Sequence, residues 1–409
     1  MSQATENKRD LLDRPVFGES RLTWWTVIYM AILVVIVLTR LWDLGSRAYS
    51  HDESIHAWDS WRLYTGQRYT HNPVYHGPFL YHITALVYAL FGHNDVTGRL
   101  ATSLIGIGIT LTPLLFRKWL GRNGVLLATL LMALSPVMMH RSRFIRHDHF
   151  AILANLLMLW AMLQYLERRQ SKHLYWVAAA ISLGFTGKET TFITYAIFGS
   201  LLGLLYIGQL WRDGLRAWRR GPLFDLLIVI GTLILPLASP IAIALLGRDP
   251  VDYSPSGVYF SGAVFLVTVA ISVAIGLWWD RRRWPLCAGL FYVIFVPLFT
   301  SMYTNGQGFA TGMVGQLGYW FSQHGVKRGG QPWFYYLVIF PLYEFLPIIL
   351  GGAGTLYLAL RGPQPPASDL EMPVSCEERH AEADAPSAHF YAAPTVPLLL
   401  YWSVTAFVL

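Results

Sequence analysis

The chain has 409 residues, of which 54% are hydrophobic and only 13% are charged, and its mean hydropathy is +0.40. Apolar runs of about 18 residues or more recur along it, which predicts an all-α, polytopic transmembrane helical bundle. The formal charge of +7 is accounted for by Lys and Arg retained in cytoplasmic loops. Because the sequence has no basic patch with interleaved aromatics and no nucleic-acid motif, we predict no nucleic-acid partner. The two cysteines, Cys287 and Cys376, predict neither a disulfide framework nor a zinc site, because they lie far apart in an apolar run and a polar loop.

The first predicted span is 24–42, a retained anchor because the charged N-terminus lacks a cleavage site. The loop that follows, 43–97, contains an amphipathic interfacial helix at 55–65 and a second apolar helix at 78–91. The later predicted spans are 100–116, 125–140, 150–166, 175–186, 192–210, 223–246, 258–279, 286–303 and 334–360.

The segment 78–91 decides the topology, because at about 14 residues it is short for a span of ~20. If it does not cross, 19 of the 31 basic residues lie inside; if it crosses, 12 do. The positive-inside rule favours the first arrangement. We therefore expect two outer juxtamembrane helices that help to cover one site, with the active-site carboxylates in the outer loop 43–97.

Three segments complete the predicted organisation. Residues 1–360 form the transmembrane bundle, and its outer loop 304–333 carries His324, Lys327 and Arg328. Residues 361–393 are rich in Pro, Ala and acid and are predicted to be a disordered cytoplasmic loop. Residues 394–409 are too short to finish a span, so we expect the native reading frame to continue beyond Leu409.

Charged and imidazole side chains concentrate in three short stretches, at 50–59, 71–78 and 143–149. The predicted topology brings all three to the outer face. Transfer of a sugar from a lipid phosphate needs a base for the acceptor hydroxyl and cations for the departing phosphate. The candidate catalytic residues are Asp52 and Glu53 as bases and Asp148 to orient the acceptor. The candidate substrate-binding residues are His51, His76, Arg99, Arg143, Arg146, His147 and Lys188.

These residues also have structural interpretations. Exposed acids are ordinarily solvated, arginines at a span end contact head groups, and a lysine there extends to the interface. A divalent metal is a further alternative, although neither possible ligand set has a recognised spacing. Those sets are His51, Asp52 and His56, and His147, Asp148 and His149.

A series of short motifs runs in order through residues 45–345. They are Asp52-Glu53, Tyr64-Thr65-Gly66, His76-Gly77-Pro78-Phe79-Leu80-Tyr81, Leu90-Phe91-Gly92, Gly98-Arg99-Leu100, Ser142-Arg143, His147-Asp148, Gly187-Lys188 and 328–336. This set resembles the GT-C glycosyltransferases, nearest to the protein O-mannosyltransferases and the lipid A aminoarabinose transferases, and is similar to the archaeal and bacterial "flippase activity-associated" subfamily. Tyr75-His76-Gly77 departs from both branches, which have Glu-Lys or His-Pro near this point.

The resemblance implies a polyprenyl-phosphate sugar donor, inversion at the anomeric carbon and Asp52 as the base. The predicted function is a multi-pass cell-membrane glycosyltransferase that acts on a protein, lipid or glycan acceptor at the extracytoplasmic face. A transporter or flippase of lipid-linked sugars is the alternative, and a non-catalytic scaffold is a third. The acids lie at span ends on one face and no internal repeat is visible, which favours the enzyme over the transporter.

Overall fold

The computed structural model describes residues 12, 14–16, 22–214, 218–219, 221–323, 332 and 334–361. Regular structure in these residues is helical, apart from one isolated β-bridge between Pro15 and Thr23. The α-helices are α1 (Trp24–Leu41), α2 (His51–Tyr64), α3 (Phe79–Phe91), α4 (Asp95–Leu111), α5 (Arg117–Leu134), α6 (Pro136–Ser142), α7 (Asp148–Arg168), α8 (Ser171–Gly187), α9 (Thr191–Asp213), α10 (Pro222–Ile234), α11 (Ser239–Leu245), α12 (Pro255–Trp279), α13 (Arg283–Phe299), α14 (Gln307–Ala310), α15 (Gln316–Gln323), α16 (Tyr335–Tyr343) and α17 (Phe345–Arg361). The predicted all-α class is confirmed.

The loops between the long helices gather at two ends of the bundle. At one, which we call the site end, the guanidinium of Arg143 donates to the carbonyl oxygen of Thr39 at 2.9 Å. At the other, the far end, the indole of Trp25 donates to the carbonyl of Arg122 at 3.2 Å. Segments 43–50, 71–78, 143–147 and 188–190 meet at the site end, and segments 117–122, 165–173 and 279–283 lie at the far end. The loops predicted to share a side of the membrane therefore do meet.

Helix α3 starts and finishes at the site end. Just before it, the amide of Gly77 donates to the carbonyl of Gly187 at 3.3 Å. Just after it, the hydroxyl of Tyr49 donates to the carbonyl of Asn94 at 3.0 Å. A helix with both ends at one end of the bundle does not cross it. This is the arrangement predicted for 78–91, and α3 packs on α2 and α4 with one buried face.

The chain reverses between α4 and α5. Gly121 has φ of 68°, a conformation in which glycine carries no steric penalty, and it breaks the helical path of residues 95–134. Beyond this bend α5 returns to the site end, where Arg40 donates to the carbonyl of Ala133 at 3.2 Å. Ser135 then caps the short α6 by accepting from the amide of Met138. The predicted spans 100–116 and 125–140 are thus two passes, the second of them broken.

Five helices in the described residues are long and apolar enough to cross a membrane, or seven if each of two bent pairs is one span. The bent pairs correct two predictions. The predicted span 223–246 is divided into α10 and α11, which bend by 70°, and 334–360 is divided into α16 and α17, which bend by 94°. Glu344 lies at the second bend and accepts a hydrogen bond from Ser135 at 2.5 Å.

The centre of the bundle is formed by α7, α8 and α13. Met158, Val177 and Phe291 are fully buried there. The backbone of α8 is approached closely, since a Cβ atom on Gly184 would lie 2.3 Å from the hydroxyl of Tyr195. Small residues of this kind allow close helix packing in membranes. The central helices fix the positions of the loops at the site end.

Several predictions fall on residues outside the described part of the chain. These include the cytoplasmic loop 361–393, the incomplete span 394–409 and Cys376. In the loop 304–333, residues His324, Lys327 and Arg328 are also outside it.

Candidate active site

The site is built on the N-terminus of α2. Ser50 and Glu53 form a capping box: the Ser50 hydroxyl accepts from the Glu53 amide at 3.4 Å, and the Glu53 carboxylate accepts from the Ser50 amide at 3.1 Å. This fixes the first turn of the helix. Successive residues of an α-helix point about 100° apart, so Asp52 and Glu53 face different surroundings: the Asp52 side chain is 49% exposed and the Glu53 side chain is fully buried.

Glu53 and Arg99 form a buried ion pair. Arg99 Nε and Nη2 donate to the two carboxylate oxygens at 2.8 and 3.1 Å. The remaining N–H groups of Arg99 donate to the carbonyl oxygens of Leu44, Arg47 and Ala48. All five guanidinium donors are therefore in use. Burial, the largest single effect, raises the pKa of Glu53, but the hydrogen bond and charge of Arg99 and the amides of Ser50 and Ile145 together lower it overall.

This pair corrects two predictions from the sequence. Glu53 was predicted as a candidate base and Arg99 as a substrate-binding residue. A fully buried carboxylate with both oxygens occupied is not available to an acceptor hydroxyl, and a guanidinium with no free donor is not available to a phosphate. The structure gives both residues a structural function, joining α2 to α4.

Four charged side chains form a chain across the site end, which we call the acid–base cluster. Arg146 donates to Asp52 Oδ2 at 2.6 Å and lies 3.6 Å from Asp148 Oδ2. Lys188 donates to Asp148 Oδ1 at 2.5 Å. Asp52 Oδ1 accepts no hydrogen bond from the described residues. The structure thus brings together four of the predicted residues from three separate loops. Asp52 Oδ1 is open, and Asp148 Oδ2 has only the longer contact with Arg146 at 3.6 Å.

Arg143 lies apart from the acid–base cluster. It donates to the carbonyl oxygens of Thr39 and Asp43 at 2.9 and 3.1 Å. With Arg47 and His140 it lines an open cleft on the α1 side. The cations predicted as one set are therefore divided between two places.

His76 pairs with a residue that the sequence analysis did not single out. Its Nδ1 lies 2.8 Å from Glu189 Oε1 and 3.0 Å from Oε2. Glu189 directly follows Lys188. It could have been predicted from the sequence, because it is an acid at the end of a predicted span on the same side as the other acids. His71, also missed, contacts the His76 carbonyl through Nε2 at 2.9 Å.

His147 is 1% exposed and lies behind the surface of the site. Its ring contacts those of His56, His76 and Tyr81 at centroid distances of 4.7, 5.3 and 5.3 Å. Burial and the charge of His76 lower the pKa of His56 to about 4, and burial lowers the pKa of His147 well below its usual value. The predicted contact of His147 with substrate is not available in this arrangement, because the ring is covered by its neighbours.

The predicted metal alternatives receive no support from the described residues. Among them, no group of three or more His, Cys, Asp or Glu side chains is arranged to hold a metal ion. His51 is exposed in the first turn of α2, while His149 is fully buried. The members of each predicted set are therefore directed to different surroundings.

Two comparisons with known proteins match this bundle of apolar helices. Residues 75–243 match the family model of dolichyl-phosphate-mannose-protein mannosyltransferases. The structure is similar to that of ArnT from Cupriavidus metallidurans bound to undecaprenyl phosphate, with a TM-score of 0.50 and 18% identity over 94% of this chain and 60% of that one. The resemblance noted in the sequence therefore extends to a family model over part of the chain and to the fold of a solved structure.

A weaker likeness is found to the Archaeoglobus fulgidus oligosaccharyltransferase in complex with Zn and sulfate. Its TM-score is 0.42 and its identity 14%, over 93% of this chain and 49% of that one. No curated protein matches the chain. The chain spans 60% of the length of the ArnT chain.

Proposed function

We propose that the protein transfers a sugar from a polyprenyl-phosphate donor to an acceptor hydroxyl, with Asp52 as the general base. The observation that carries this proposal is the open oxygen of Asp52. Oδ2 is held by Arg146, whereas Oδ1 accepts nothing from the described residues and the side chain is 49% exposed. A base must lie within hydrogen-bond reach of the proton that it removes, and Oδ1 is the carboxylate oxygen of the cluster that meets this requirement.

The phosphate of the donor is the leaving group, and negative charge grows on it as the glycosidic bond breaks. Cations held in place before the reaction stabilise that charge. Arg146 and Lys188 supply them beside the base, and His76 stands next to them. Arg143 adds a further positive charge from the neighbouring cleft on the α1 side.

Asp148 orients these cations. It accepts from Lys188 at 2.5 Å and lies 3.6 Å from Arg146. A carboxylate between two cations keeps them from moving apart or turning into solvent. Asp148 therefore positions the phosphate-binding groups and, through Arg146, sets the distance between base and leaving group.

The active site lies at the extracytoplasmic face of the cell membrane. The distribution of Lys and Arg supports this placement, because the predicted inner loops carry 19 of the 31 basic residues. The far end of the bundle collects such residues, among them Arg117, Lys118 and Arg283. The acceptor is a protein, lipid or glycan hydroxyl that reaches the site end from outside.

Transport without catalysis is the alternative function. Ionisable groups of a transporter lie near mid-span, between matching repeats. Here the charged groups of the cluster stand at helix ends or in loops, and the matching family model is one of transferases. Both observations favour transfer.

The test is Asp52→Asn, with Asp59→Asn as its matched control. Asp59 lies two turns further along α2 and pairs with Arg62 at 3.5 Å, away from the acid–base cluster. Asp52→Asn should lower transfer from polyprenyl-phosphate sugar by at least about 100-fold, the usual contribution of a general base. Asp59→Asn should leave it within about twofold. Equal rates in wild type and Asp52→Asn would disprove the assignment.

A further inference from the structure

We propose that Glu189 is a positioning residue that holds His76 in its protonated form, with Nε2–H directed at the donor phosphate. This inference rests on the proposed function, since it assigns the ligand of His76 to the same site. Glu189 touches neither substrate nor reacting atoms in this account. It acts through the imidazole.

The contact between the two side chains is closely defined. His76 Nδ1 lies 2.8 and 3.0 Å from the two oxygens of Glu189, so a proton on Nδ1 is shared by the whole carboxylate. The Glu189 side chain is 10% exposed and that of His76 is 26% exposed. No described residue forms a hydrogen bond with His76 Nε2. One ring nitrogen is thus fixed by the protein and the other is left for a ligand.

The backbone around His76 is held as firmly as its ring. His76 has φ of 66°, an uncommon conformation for a residue with a side chain. Its carbonyl contacts His71 Nε2 at 2.9 Å, and His71 Nδ1 in turn contacts the Thr311 hydroxyl at 2.8 Å. The next residue, Gly77, lies on the end of α8, where a Cβ atom would come within 2.1 Å of a carbonyl oxygen. These contacts keep the imidazole facing Glu189.

The charge of the site depends on the His76 proton. The carboxylates are Asp52, Asp148 and Glu189, and the cations that face them are Arg146, Lys188 and protonated His76. Among these six groups the charges balance with the proton present and sum to one negative charge without it. Arg143 in the neighbouring cleft and Arg141 add positive charge from further away. An arriving phosphate is repelled by the second state. Binding of the donor should therefore require the imidazolium.

Other titratable groups face His76, and they oppose its proton. His147 lies 5.3 Å away between ring centroids, and the ring of His56 lies behind it. His71 is buried, which lowers its pKa to about 4, so it stays neutral. Burial raises the pKa of Glu189, but the hydrogen bond and charge of His76, a backbone hydrogen bond and the charge of Lys188 together lower it. Lys188 adds a positive charge nearby, and Glu189 is the carboxylate in direct contact with the imidazole.

The experiment measures binding of undecaprenyl phosphate to the purified full chain between pH 5 and 9, in wild type, Glu189→Gln and the control Glu167→Gln. Glu167 is a similar acid at the far end, 16% exposed and 2.5 Å from Lys118. Wild-type affinity should fall as the pH rises, because the proposed contact needs the imidazolium. In Glu189→Gln the midpoint should move to lower pH by about one unit or more, and affinity at pH 7 should fall about tenfold. Glu167→Gln should match wild type.

Glu189→Asp gives a second readout, since it keeps the carboxylate and should restore most of the affinity that Glu189→Gln loses. The Asp variant also tests the inference if the Gln variant does not fold. Its midpoint of binding against pH should lie between that of wild type and that expected for a neutral residue at this position. Identical midpoints in wild type and in the Glu189 variants would overturn the inference and leave the proposed function standing. No binding of undecaprenyl phosphate by wild type at any pH would overturn the proposed function, and the inference with it.

Discussion

Replacing Glu53 by Gln should destabilise the protein while leaving its chemistry intact. The carboxylate is fully buried and accepts from Arg99 at 2.8 and 3.1 Å, from the Ser50 amide at 3.1 Å and from the Ile145 amide at 3.4 Å. Gln has nearly the same size, but it is neutral and accepts through one oxygen. Arg99 would then keep a buried positive charge without its counter-ion.

Breaking a buried ion pair by removing one partner costs about 3–5 kcal/mol. Asp52→Asn alters a half-exposed pair, for which the cost is about 1 kcal/mol or less. The adjacent acids should therefore behave in opposite ways. Glu53→Gln lowers the midpoint of thermal inactivation in detergent but retains transfer per folded molecule, and Asp52→Asn keeps the midpoint but loses transfer.

The assay needs both measurements on the same sample: the fraction folded after heating, and the transfer rate divided by that fraction. A double variant, Glu53→Gln with Arg99→Gln, should recover part of the lost stability because no unpaired charge remains. A Glu53→Gln protein with the wild-type midpoint and no transfer would refute the reasoning, and would return Glu53 to the list of bases.

Further predictions concern pH, topology and the loop at the site end. The pKa of Glu53 is lowered, so its contribution to stability is present above the ordinary value of about 4.3 and is lost as the pH falls through the folded-state value; melting curves between pH 6 and 3 should show a steeper loss for wild type than for Glu53→Gln. A cysteine introduced at Asn94 should react with an impermeant reagent added outside, and one at Asn123 should not; the reverse result would invert the topology. Gly77→Ala should displace His76, because its Cβ would meet the carbonyl at the end of α8 at 2.1 Å, and donor affinity measured on the purified protein should fall. Arg143→Ala should weaken donor binding by about tenfold or more; an unchanged affinity would remove Arg143 from the site.

The membrane fold was predictable from the sequence to the extent that apolar runs define spans. The bends were not, because the composition stays apolar through them. Pro236 in the first break and Pro341 in α16 were visible signals of interruption. The 94° angle beside Glu344, however, depends on packing that no local pattern records.

In the site, residue type alone could not separate Asp52 from Glu53. The spacing of Ser50 and Glu53 is that of a capping box, and it could have predicted the start of α2 and the separate directions of the two acids. The partner of Glu53 could not be found in this way, since Arg99 is 46 residues away and is brought close by tertiary packing. The sequence predicted the cluster of Asp52, Arg146, Asp148 and Lys188 because the favoured topology, in which 78–91 does not cross, puts their loops on one side.

The buried pair of Glu53 and Arg99 constrains how the protein can evolve. Neither charge is tolerated in the protein interior without the other. A lineage that replaces the two residues one at a time therefore passes through a poorly folded protein. Lineages that lose one should have lost both, and positions 53 and 99 should vary together. Position 52 is under no such restriction from folding. With Asp52 as the proposed base, substitutions there should yield a protein that persists in the membrane without activity, and selection at this position should act on catalysis.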